Sequence, residues 1–150
     1  MPSVAGFCSS FMRELLCAIH AFGTGVSRSG SKDELKLALY TSVSSLTPGA
    51  TTAYTASDEV VGTGYTAGGV ILENTNEPDK TTTKAYWSPS GTASWTEVTV
   101  SDVTTVLLYN ATQANRAIGI WNMTSRSVIA GVLTITFPAH TANSGFIQVA

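Results

Sequence analysis

The feature that most constrains this chain is a quick succession of short apolar or alternating runs, each closed by turn-forming residues, across its second half. Residues 70–72, 84–87, 95–100, 103–109, 117–121, 132–137 and 146–149 have the two-residue alternation or unbroken apolar character of strands. Residues 74–79, 88–91 and 139–145 are rich in Asn, Pro, Ser and Gly and read as turns. Upstream, Leu35, Leu37 and Leu39 alternate with Lys36, Ala38 and Tyr40, which predicts a half-buried strand. The pattern predicts an all-β fold, an antiparallel β-sandwich of jelly-roll type. No fixed-period repeat is present, which argues against propellers and solenoids.

One helix is expected before the strands. Phe11, Leu15, Ala18, Ile19 and Phe22 recur at three- and four-residue spacing, with Ser9 and Ser10 placed to cap the start and Gly23 the end. Residues 1–23 therefore form a helical leading segment, 24–32 a Gly/Ser linker, and 42–69, rich in Thr, Gly, Ala and Ser, an extended loop. Loops of that length in a compact domain are usually functional or held by a partner. At 150 residues the whole is one domain around one core.

Charge narrows the partners. Only 12% of residues are charged, about half the usual share, so the surface is covered by Thr, Ser, Asn and Ala and offers little repulsion against association. The net charge is −2 and the basic residues are scattered, which excludes a phosphate-neutralising stripe and hence a nucleic-acid partner. Arg13, Glu14 and His20 break up the early apolar run, so it does not read as a secretory signal, and no segment is long and apolar enough to be expected in a membrane. A soluble protein made in the cytoplasm is expected. Cys8 and Cys17 are too far apart on or beside one helix to bridge, and are expected to be reduced and packed.

Catalytic motifs are missing. Gly62-Thr63-Gly64 and Gly68-Gly69 are not followed by Gly-Lys-Ser/Thr or by a helix, so the glycines read as a tight bend rather than a phosphate loop. His20 and His140 lack ligand spacing for a metal, there is no Gly-x-Ser-x-Gly elbow, and Asp58 and Glu59 are chain neighbours rather than a facing pair. No catalytic, cofactor-binding or metal site is expected, and no small-molecule substrate. The aromatics Trp87, Trp95, Trp121, Tyr54, Tyr65, Tyr86 and Tyr109 suit a core, a subunit interface or a sugar-stacking platform. Trp121, beside Ile118 and Ile120, is expected in the core, and Trp87, flanked by turn residues, at the surface.

Several stretches resemble a known family. Leu35-Lys36-Leu37-Ala38-Leu39-Tyr40-Thr41-Ser42, Thr51-Thr52-Ala53-Tyr54-Thr55, the run from Glu59 through Gly62-Thr63-Gly64-Tyr65-Thr66-Ala67-Gly68-Gly69, Leu108-Tyr109-Asn110-Ala111-Thr112, Asn115-Arg116-Ala117-Ile118, Leu133-Thr134-Ile135-Thr136-Phe137-Pro138 and Phe146-Ile147-Gln148-Val149-Ala150 fall in the order found there. The chain resembles a family of small structural proteins of tailed-bacteriophage virions; residues 24–32 and 73–95 depart from its pattern. The resemblance implies a non-enzymatic virion component, a capsid decoration (cement) protein on the capsid surface, bound to other virion proteins, foremost the major capsid protein, and forming homo-oligomers. A tail or head–tail junction protein and a host-glycan binding module are the alternatives. Phe11, Leu15, Ile19, Phe22, Tyr54, Tyr65 and Trp87 are the expected interface residues.

Overall fold

The computed structural model describes residues 5–8, 10, 11, 15, 19–23 and 32–149. Its centre is one long hairpin, β6 (Ala93–Asn110) and β7 (Arg116–Ile135). The turn between them holds Ala114 and Asn115 at positive φ, and the Asn110 side-chain oxygen accepts the backbone N–H groups of Thr112 and Gln113, each at 3.1 Å. Around the hairpin lie β1 (Ala5–Phe7), β2 (Leu35–Thr41) and β3 (Val70–Ile71), giving an antiparallel sheet of order β1-β7-β6-β2-β3. A second antiparallel sheet, in the order β4-β5-β8, comprises β4 (Asp79–Lys80), β5 (Ala85–Trp87) and β8 (Ile147–Val149). The fold is all-β with antiparallel sheets, as expected.

Three expectations are corrected. The separate strands 95–100 and 103–109 are one strand, because the polar interval at Ser101 and Asp102 is absorbed by a bulge in which Asp102 takes φ 55°, not by a turn. Likewise 117–121 and 132–137 belong largely to β7, whose polar middle stays extended because β6 pairs along it. Within the expected turn at 74–79, Asp79 begins a short strand, and β1 was not foreseen at all.

The expected helix falls mostly outside the described residues, but Ile19 to Phe22 are not helical. The backbone of Ala21 pairs with Asp33 instead: its N–H donates to the Asp33 carboxylate at 2.7 Å, and its carbonyl accepts the Asp33 N–H at 2.8 Å. Gly23 is therefore no helix cap; a Cβ there would sit 2.3 Å from the Glu77 carboxylate. Of the expected linker at 24–32, residues 24–31 lie outside the described residues, as does Cys17, while Cys8 is buried in the core cluster.

Strand β2 is buried on both faces, which decides the layering. One face, with Leu35, Leu37 and Leu39, joins Val106 and Leu108, and its Leu37 and Val106 share a recess with Phe137 and Phe146. The other face, with Ala38 and Tyr40, joins Leu107 and Tyr109 and is covered by residues 42–69. That segment is irregular, with isolated bridges at Tyr40–Glu59, Ala53–Arg116 and Thr63–Thr99.

Candidate interface site

Four of the seven expected interface residues converge. Phe11 and Phe22 have ring centroids 6.0 Å apart, and Phe22 tilts onto Trp87 of β5 at 4.7 Å. Leu15, Phe22 and Trp87 line one depression of about 140 Å³, whose other walls include Pro78, Ile147 and Val149. Its surface is almost wholly apolar.

The expectation that Trp87 lies at the surface is corrected: it is 3% exposed. Its position at the end of β5 turns the indole inward under Phe22, and its ring N–H donates to the Asn76 carbonyl at 3.4 Å. Phe11 and Phe22 are also buried, so they form the floor and its support, while Leu15 at 37% exposed and Val149 at 60% form the accessible rim. Ile19 is partly buried.

Polar ties on both sides hold this wall. The Asn110 amide donates to the Asp33 carboxylate at 2.7 Å and to His20 Nδ1 at 2.9 Å, which makes Nδ1 of that ring the acceptor. On the other side Lys32 pairs with Glu77 at 2.9 Å and donates to the carbonyls of Asn74 and Asn76, and the Asn74 amide donates to the Phe22 carbonyl at 3.2 Å. Phe22 is thus fixed to a strap running from Asn74 to Pro78, the segment that supplies the Pro78 wall. His140 is also engaged, accepting the Ser88 N–H at Nδ1 at 3.0 Å.

Tyr54 and Tyr65 lie elsewhere and point inward. Both hydroxyls donate to the buried carboxylate of Glu59, at 2.7 and 2.6 Å, and the Gly68 N–H donates to it at 2.7 Å. Tyr54 stacks on Tyr109 at 4.9 Å, and the Tyr109 hydroxyl donates to the Gly68 carbonyl at 2.7 Å. Burial first, then the nearby Glu59 charge, pushes the Tyr40 phenol up; burial and the hydrogen bond to Glu59 do so for Tyr54 and Tyr65. Tyr109 is pushed up to about 12 by burial and then by Glu59 and Glu34. This cluster clasps residues 54–68 to the sheet.

Sequence reasoning missed Glu59 as the centre of that clasp. The signal was an acidic residue running straight into Val60 and Val61, midway between two tyrosines. It also missed exposed Val61 of the 42–69 segment, at 91%, and exposed Ile129 of β7, at 84%. Among the described residues no cluster of three metal-ligating side chains occurs, and no helix is long and apolar enough to cross a membrane.

The chain matches no family model, and no curated protein or solved structure is significantly similar to it.

Proposed function

We propose that this chain is a structural subunit of a tailed-bacteriophage particle, a capsid decoration protein that works by packing against its neighbours. The observation that carries the reading is the apolar depression rimmed by Leu15 and Val149 over a floor of Phe22 and Trp87. It joins residues selected by sequence pattern alone, in a chain of low charge whose stretches resemble such proteins. The body is read as a jelly-roll-like β-sandwich, and β5 and β8 of the small sheet give the depression its wall. Apolar burial contributes about 25 cal/mol per Å², so a standard interface of ~1,600 Å² has ample gross driving force before the cost of immobilising each subunit. The first partner is the major capsid protein, with a second copy of this chain beside it.

The test is incorporation into particles. Leu15→Asp and Val149→Asp place a charge on the rim without touching the floor; both variants are expected to fold and to be lost from purified virions. Normal incorporation of both would refute the assignment. Copy number read from stained gels separates a coat protein, in the hundreds, from a tail or head–tail junction ring. The glycan reading is disfavoured by the covering of Trp87, which leaves its face to Phe22.

A further inference from the structure

A second, largely apolar recess lies away from the depression just described, between the inner face of the large sheet and residues 136–138 with Phe146. It measures about 460 Å³, more than three times the volume of the first. One wall is the inner face of the large sheet, with Leu37 and Val106, and the opposite wall is the segment at residues 135–138 that leads out of β7. Trp121 and Phe146 close its end, with ring centroids 5.0 Å apart.

The recess is held open by rings that brace one another. Phe146 meets Phe137 edge-on at 5.3 Å with an interplanar angle of 87°, and Phe7 of β1 meets both Trp121 and Phe146 edge-on at 5.6 and 5.7 Å. Collapse would have to break these edge-to-face contacts, which the ring quadrupoles favour beyond their burial. Water is a poor filler for so large a space, since each ordered water needs two to four polar partners and only the Trp121, Asn122 and Thr136 side chains carry a hydrogen-bonding group.

We propose that this recess binds one small, neutral, predominantly aromatic molecule. Its volume falls in the range of sites for ligands of that size, roughly 300–1,000 Å³. None of its ten lining residues ionises, so a charged ligand would lose its hydration without gaining a counter-charge. Trp121, Phe137 and Phe146 present tilted faces and edges that suit a flat ring. The inference is independent of the virion reading, because it concerns a different surface.

The probe is the neutral aromatic dye Nile red, titrated into the purified chain with the anionic dye anilinonaphthalene sulfonate as a contrast. Saturable binding of one Nile red per chain is expected, with at least tenfold weaker binding of the anionic dye. Thr136→Trp, at an exposed position on the wall, and Met123→Trp, on the opposite side, are each expected to weaken Nile red binding at least tenfold while far-ultraviolet circular dichroism stays unchanged. Leu15→Asp is expected to leave dye binding intact, even where it abolishes incorporation into particles. Absence of saturable binding, binding unaffected by both tryptophan variants, or loss in Leu15→Asp would each overturn the proposal. So would a dye signal that falls as the chain self-associates, which would assign the recess to a second copy.

Discussion

Glu59 does at the scale of one residue what a strand does elsewhere: it gives an irregular segment a fixed place. Three donors converge on its buried carboxylate, so Glu59→Ala leaves two phenols and an amide without their acceptor. A loss of about 2–4 kcal/mol is expected, since breaking hydrogen bonds to a charged acceptor and orphaning buried donors costs that much; urea denaturation checks it. Gly69 is equally constrained: its φ is +74°, and a Cβ would lie 1.8 Å from the Leu37 carbonyl oxygen. Gly69→Ala is expected to cost at least ~2 kcal/mol by strain and by displacement from β2, measured the same way. The tyrosines set an alkaline limit. Tyr109 titrates near 10 when unfolded and is pushed up to about 12 when folded, so its contribution is full below pH 10 and is lost as pH rises from 10 to 12. Thermal unfolding midpoints should therefore hold up to pH 10 and fall above it, in step with tyrosinate absorbance.

The elements show where pattern reading succeeds and where it fails. Runs 70–72, 84–87 and 146–149 matched β3, β5 and β8 to within a residue, because short alternating runs between turn formers leave the backbone few options. The hairpin was cut in four, because Ser101-Asp102 and the polar middle of β7 look like turns when read one chain at a time. What keeps them extended is cross-strand pairing, together with Asp102, which accepts hydrogen bonds from the Ser42 hydroxyl and amide and from the Ser125 hydroxyl. Register shifts between Trp95 and Thr105 mark the same stretch. This middle is exposed on β7, so its amides should exchange with solvent faster than those of 105–110 and 117–121, where both strands are buried. Hydrogen exchange resolved by residue tests this; uniform protection along the hairpin would contradict it.

At the scale of the molecule, rings pack the flanking segments onto the sheets: Phe22 on Trp87 of β5, and Phe146, the residue before β8, on Trp121 of β7 and on Phe137. Phe146→Ala removes the second of these packings and is expected to cost about 3–5 kcal/mol. It should also uncouple the small sheet, so that tryptophan fluorescence and far-ultraviolet dichroism, coincident in the parent, report separate transitions. The low charge density has its consequence at this scale too, since little repels a neighbour from the rim of Leu15 and Val149.

By itself the sequence determined the strand-rich character and the extents of β3, β5 and β8 to within a residue. These follow from local period and turn chemistry, which act over a few residues. Only the tertiary structure decided that Ala21 pairs with Asp33, that Trp87 turns inward, that Glu59 gathers two tyrosines, and that a recess stays open beside Phe146. Each depends on groups brought together from distant parts of the chain, and the burial that fixes them exists only once the sheets have closed.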